Sequence, residues 1–296
     1  MSKPLKESMT DTSFKLLNPI DPAKAQTLVR LATLGESLGT PMLVVGAFAS
    51  DIHFWHIHGI ETARKTRDVD LTIQLESWTA FASFSDALTD AGFSKPDRRH
   101  PEKHTDLMTR QEVDILPFGK ISEDGKTITW PGERHPWSVI GLMDAFEHAI
   151  IVPVTFGDNA RTLRVASLPA IVVMKIVAMH DRPEDRKQKD SADIAFIVRN
   201  YLNTGAALRL QKTGYSGYLL EIKNDLILVA AYLLGSDMGD LAALSTRELV
   251  LPMLRAEVTS HSRCPLAHRL SEEIGKGSFV RARQIIGAMI KGMEKV

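Results

Sequence analysis

The stretches Arg67-Asp68-Val69-Asp70-Leu71 and Glu112-Val113-Asp114-Ile115-Leu116 decide how this chain is read. Each sets carboxylates inside a run otherwise suited to a buried strand. Side chains alternate faces along a strand, so Asp68 and Asp70 share one face while Val69 and Leu71 share the other. Asp114 likewise points away from Val113 and Ile115. Aspartates beside apolar neighbours are costly unless positive charge meets them. Mg²⁺ answers that need, because it takes hard oxygen ligands from a few carboxylates and leaves room for water and substrate phosphates. Mn²⁺ is an alternative. Asp68 and Asp70 would stand about 6–7 Å apart along one face. Asp114, 44 residues beyond Asp70, joins them if its strand lies alongside. Two cations about 4 Å apart would clamp the attacking and leaving oxygens of an in-line displacement. The chemistry indicated is phosphoryl or nucleotidyl transfer.

The 296 residues suffice for a sizeable core, divided between an α/β domain and a smaller one. Apolar content of 44% and charged content of 24% are those of an ordinary globular protein. Lys+Arg and Asp+Glu each total 36, so no global field recommends a nucleic-acid partner, although a local basic groove would still fit. The single cysteine, Cys264, excludes an internal disulfide framework and suits a reducing compartment. No apolar run reaches spanning length and no signal-peptide core is present, so a soluble, cytoplasmic protein without a membrane partner is expected.

Periodicity and breakers divide the chain into a flexible arm over 1–20, a mixed sheet domain over 21–167 and a helical domain over 168–296. Asp21-Pro22 predicts a capped helix ending at Gly39. A strand over 41–45 ends at Gly46, and 47–57 resumes as helix. A strand over 68–75 and a helix over 77–91 follow. Residues 105–108 and 112–118 are expected to form a hairpin, and 127–130 an edge strand. Residues 150–156 and 162–166 are expected to pair through Gly157-Asp158-Asn159. From Ser167 onward the pattern is helical.

Gly46 adds to the aspartates. A strand ending in glycine and opening a helix lets backbone N–H groups approach phosphates with no Cβ in the way. Strand–Gly46–helix, then Arg64-x-Thr66-x-Asp68-Val69-Asp70, then Val113-Asp114-Ile115-Leu116-Pro117-Phe118-Gly119 resembles the DNA polymerase β-type nucleotidyltransferase superfamily. More narrowly, the pattern resembles the AbiEii-type nucleotidyltransferase toxins of type IV toxin–antitoxin systems, over about residues 42–201. The resemblance implies an α/β (α+β) fold, a mixed sheet flanked by helices, with a C-terminal helical domain completing the active site. It also implies that Asp68 and Asp70 bind Mg²⁺ and the nucleoside triphosphate, that Asp114 helps activate the acceptor hydroxyl, and that Gly46, Ala47, Arg64 and Thr66 contact the nucleotide. Relatives often carry Gly-Ser or Gly-Gly where this chain has Gly46-Ala47. The missing hydroxyl leaves Ser50, one helical turn further on, as its candidate replacement. The implied acceptor is the 3′ end of tRNA and the implied protein partner a cognate antitoxin. Two other readings stand beside this one: the same reaction on a small-molecule or protein hydroxyl, and a nucleotide-binding relative without turnover.

Further on, Ile171-Val172-Val173-Met174-Lys175-Ile176-Val177-Ala178-Met179 holds one charge among eight apolar residues. Lys175 must snorkel outward or meet an anion, and a nucleotide phosphate would serve. AbiEii-like proteins carry a lysine on the helix entering the second domain, so the resemblance implies a role in the site. Their Arg…Lys-Asp-x-x-Asp pattern is matched by Arg182, Lys189, Asp190 and Asp193. Asp190 is the preferred site aspartate and Asp193 the structural one, and the choice between them stays open. His53, His56 and His58 are read as ordinary, partly exposed histidines. Arg98, Arg99, His100, Lys103 and His104 are read as a solvated loop. Trp130 and Trp137 are read as core packing or a base-stacking pair.

Overall fold

The computed structural model describes residues 14–62, 66–97, 99–181, 184–260 and 264–295, with side chains left aside at 184–186. Along the chain run α1 (Pro22–Leu38), β1 (Met42–Val45), α2 (Gly46–Asp51) with a π-helical turn (Ile52–Ile57), β2 (Val69–Gln74), α3 (Trp78–Asp90), β3 (Lys103–Thr105) and β4 (Glu112–Phe118). Next come β5 (Thr127–Ile128), β6 (Trp137–Ser138), α4 (Leu142–Glu147), β7 (Ile150–Phe156) and β8 (Asn159–Val165). Helices complete the order: α5 (Leu168–Asp181), α6 (Glu184–Asn200), α7 (Ala206–Thr213), α8 (Tyr218–Ile222), α9 (Leu226–Leu241), α10 (Leu244–Thr259), α11 (Pro265–Glu273) and α12 (Phe279–Met293). The result is the mixed α/β fold with C-terminal helices that the sequence predicts.

Two compact units are formed. The first takes the described residues up to Ile73, Ala82–Leu116 and Ala149–Val165; the second takes Gln74–Phe81, Pro117–His148 and the described residues from Ala166 onward.

In the first unit the strands are ordered β3-β4-β2-β1-β8-β7. β1 runs antiparallel to β2, with Val45 opposite Asp70, and parallel to β8, so the sheet is mixed. Burial follows the alternation of the sequence. Val113 and Ile115 of β4 are fully buried while Asp114 between them is not. Helix α1 starts because the Asp21 carboxylate accepts the N–H groups of Ala23 and Lys24, and it stops at Gly39 in the left-handed conformation, φ +61°.

Two expectations need correction here. Strand β3 lies at Lys103–Thr105, earlier than the expected 105–108, because Asp106 is drawn out of the strand. Its buried carboxylate accepts the Thr27 hydroxyl (2.9 Å), the Met108 N–H (3.0 Å) and the Arg30 guanidinium. The shift sets Lys103 directly across from Asp114. The histidines differ as well. The helix widens into the π-helical turn from Ile52, changing the phase of every side chain beyond it. His53 and His56 are consequently buried, not partly exposed.

In the second unit α9 and α12 meet backbone to backbone. A Cβ on Gly235 would lie 1.9 Å from the Met289 carbonyl oxygen, and one on Gly292 would lie 2.1 Å from that of Tyr232. Only glycine at these positions permits such an approach. Asp144 of α4 caps α10, accepting the Ala243 N–H at 3.1 Å and the Thr246 hydroxyl at 2.6 Å. Trp130 is buried and packs edge-on against Phe81 and Trp137, which places Trp130 in the core, while Trp137 beside it is only partly buried.

Candidate active site

Asp68 enters β2, Asp70 lies within it, and Asp114 lies in the neighbouring β4. Strand alternation turns all three toward one region, where one carboxylate oxygen from each lies within 4.8 Å of the others. Three like charges so close require compensation and firm positioning. Each aspartate obtains it differently.

Asp68 accepts the Thr66 hydroxyl at 2.8 Å. Thr66 is itself held at both ends: its N–H donates to Asp51 (3.2 Å), and its carbonyl accepts the Lys24 ammonium (2.9 Å). Lys24 is buried on α1 beneath the Phe48 ring. Burial pulls its pKa below the usual lysine value, and Asp51, Asp68, Asp21 and Asp70 oppose that shift through space.

Asp70 is fixed by a close approach. A Cβ on Gly46 would stand 2.0 Å from Asp70 Oδ2, 2.7 Å from its Cγ and 2.9 Å from its Cβ. Gly46 also has φ +67°, where a side chain is strained. The residue is therefore glycine because the Asp70 carboxylate occupies the space a side chain would take.

Asp114 is met by a cation. Lys103, its cross-strand partner, donates to both carboxylate oxygens at 3.2 and 3.1 Å. Partial burial lowers the Lys103 pKa, but Asp114, with Glu102 and Asp68, outweighs it, and the net value lies above the usual one.

Of the other residues predicted from sequence, Ala47 and Ser50 lie in α2, and the Ser50 hydroxyl is buried without a hydrogen-bond partner among the described residues. Arg64 and Arg182 lie outside the described residues. In the second unit Lys175 meets anions and does not snorkel. Its ammonium donates to Asp190 at 3.1 Å and to Asp193 at 2.6 Å, so both aspartates share it. Lys24 and Lys103 are the two residues that sequence reading missed. Lys103 sat in a basic stretch that signalled charge but not register; Lys24 had no signal at all on its own helix.

The fold is that of a nucleotidyltransferase. The family model described as "Nucleotidyl transferase AbiEii toxin, Type IV TA system" matches residues 34–225, well over half of the chain, and the chain belongs to that family. No curated protein matches it. Among solved structures it is similar to the antibiotic-resistance factor ANT(2'')-Ia, at 14% identity and TM-score 0.34, over 64% of this chain and 86% of that one. It is also similar to an antigenic nucleotidyltransferase-like protein from Paracoccidioides brasiliensis, at 16% identity and TM-score 0.40, over 71% and 94% of the two chains. A third likeness is to the Thermotoga maritima CCA-adding enzyme complexed with tRNA, at 14% identity and TM-score 0.27, over 94% and 82%. With TM-scores this low the assignment rests on the family match, not on these three.

Proposed function

We propose that this nucleotidyltransferase moves a nucleoside monophosphate from a triphosphate to an acceptor hydroxyl, using Mg²⁺ (or Mn²⁺) at Asp68, Asp70 and Asp114, and that the acceptor is the 3′ end of tRNA. The observation that carries the reading is the convergence of three carboxylate oxygens within 4.8 Å. The donor set is all hard oxygen, which fits Mg²⁺ and lacks the nitrogen or sulfur that zinc prefers. Bound there, divalent cations would polarise the triphosphate and offset the charge developing on it.

The chain's own residues supply positioning. Asp68 is oriented by the Thr66 hydroxyl and Asp70 by the packing of Gly46, so their oxygens are preorganised. Asp114 orients the acceptor hydroxyl and takes its proton. The acceptor oxygen then bonds to the α-phosphorus as the bond to the α–β bridging oxygen breaks, and pyrophosphate leaves. Backbone at Gly46 and Ala47, with Arg64, Thr66 and Ser50, contributes nucleotide contacts in this reading. Lys175, held by Asp190 and Asp193, offsets phosphate charge. Family membership supports an antitoxin partner, and the lone Cys264 fits a cytoplasmic setting. Among the described residues no helix is long and apolar enough to cross a membrane.

The test uses purified protein, Mg²⁺, each of the four α-labelled ribonucleoside triphosphates and total tRNA, with Asp70→Asn as control. Label entering tRNA with wild type alone is the expected result, and omitting Mg²⁺ or adding a chelator abolishes it. Triphosphate binding without transfer to tRNA would move the acceptor to a small-molecule or protein hydroxyl. Neither binding nor transfer would leave a fold relative without turnover.

A further inference from the structure

We propose that Lys103 is the built-in counter-ion of the metal-free site: it competes with the divalent cation for Asp114 and is released to solvent when the cation binds. The inference rests on the metal reading given above. Its basis is geometric. Lys103 stands opposite Asp114 in the β3–β4 register and engages both of its oxygens, at 3.2 and 3.1 Å. One of those oxygens lies within 4.8 Å of carboxylate oxygens of Asp68 and Asp70. The ammonium thus holds the carboxylate that a cation shared by the three would have to claim. Asp68, by contrast, is oriented by the neutral Thr66 hydroxyl, which does not oppose a cation.

Release is feasible because the Lys103 side chain is 50% exposed, so its ammonium moves into water without crossing a buried environment. The arrangement relieves repulsion among three carboxylates before a cation arrives. By linkage, the pair weakens cation binding by the same factor by which the cation weakens the pair.

The experiment measures Mn²⁺ binding to wild type, Lys103→Met and Asp70→Asn by electron paramagnetic resonance, with triphosphate absent. Lys103→Met is expected to bind about five-fold more tightly, the weight of a favourable, partly exposed ion pair. A second readout is acetylation of lysines in wild type, quantified by mass spectrometry with and without Mg²⁺. Lys103 should become several-fold more reactive when Mg²⁺ is added, with the exposed Lys120 as internal reference. This second readout responds to release of the ammonium and not to a mere change in net charge. Unchanged or weaker Mn²⁺ binding by Lys103→Met, or unchanged Lys103 labelling, overturns the proposal while wild-type binding that Asp70→Asn loses keeps the metal reading. Absence of Mn²⁺ binding in wild type overturns both.

Discussion

Replacing Gly46 by alanine tests the packing that fixes Asp70. Two costs combine at this position. The backbone sits at φ +67°, and a side chain in the left-handed region costs about 1–2 kcal/mol. The new Cβ would also lie 2.0 Å from Asp70 Oδ2. Rotation of the carboxylate does not relieve this, because the Cγ and Cβ of Asp70 stand at 2.7 and 2.9 Å. The whole side chain, or the strand pairing of Val45 with Asp70, must move. Overpacking of that kind costs about 1–3 kcal/mol, giving a total of about 2–5 kcal/mol. Gly39→Ala supplies the control: its φ is +61°, yet nothing lies within 4 Å of the added Cβ, so it carries the backbone cost alone. Both positions belong to the first unit, and urea unfolding of the two variants against wild type isolates the contact as their difference. Mn²⁺ binding should fall in Gly46→Ala and persist in Gly39→Ala. Equal urea midpoints for the two variants, with Mn²⁺ binding intact in both, would refute the argument that Asp70 demands the glycine.

Three further outcomes are expected. Lys175→Met leaves Asp190 and Asp193 without their shared cation and should destabilise the protein by about 3 kcal/mol, the low end for a broken buried pair because Asp193 keeps 27% exposure. Urea unfolding measures the loss, and nucleotide binding that survived it would mark the lysine as structural. Gly235→Ala drives a Cβ into the Met289 carbonyl oxygen and should cost about 3 kcal/mol by the same method, whereas alanine at Gly287, with open space around its Cβ, should cost little. Asp106 governs an acid limb. Burial raises its pKa, but the Arg30, Thr27 and Met108 hydrogen bonds outweigh burial and hold it below the usual aspartate value. A depressed folded pKa contributes stability above the unfolded value, and that stability is lost as pH falls through the folded one. Asp106→Asn should therefore lower stability at neutral pH and flatten its decline below about pH 4, as read from urea midpoints against pH.

The aspartates were legible because a strand writes its faces into the sequence. A carboxylate between Val113 and Ile115 cannot share their buried side. The same rule located the β7–β8 hairpin, and the switch to helix after Ser167 was equally plain. What could not be read depended on distant partners. Asp106 looks like one more strand residue until Thr27 and Arg30 of α1 bind it and, with the Met108 N–H, draw it out of β3. His53 and His56 follow a helical count that fails once the helix widens at Ile52. Lys24 sits on an amphipathic helix where a lysine normally faces water, and its hydrogen bond to Thr66 spans 42 residues. Local propensity carries no trace of such a bond.

Sequence reading assigned the missing side chain of Gly46 to the approach of a phosphate, and the structure gives that space to Asp70. The two roles differ in what they demand. A phosphate cradle needs glycine only when ligand is bound, whereas Asp70 needs it in the folded protein at all times. The conflict between a Cβ and Asp70 is thus a folding constraint first, and its effect on chemistry follows from the displaced carboxylate. The same logic separates Lys103 from Lys24. Lys24 is buried and tied to backbone, so it belongs to the frame that sets Thr66 and, through it, Asp68. Lys103 is half-exposed and tied to the carboxylate that the proposed reaction would use, so it is the partner able to leave. On the proposed reading, a rigid frame holding two aspartates and an exchangeable ion pair on the third would leave the site both preorganised and open to a cation.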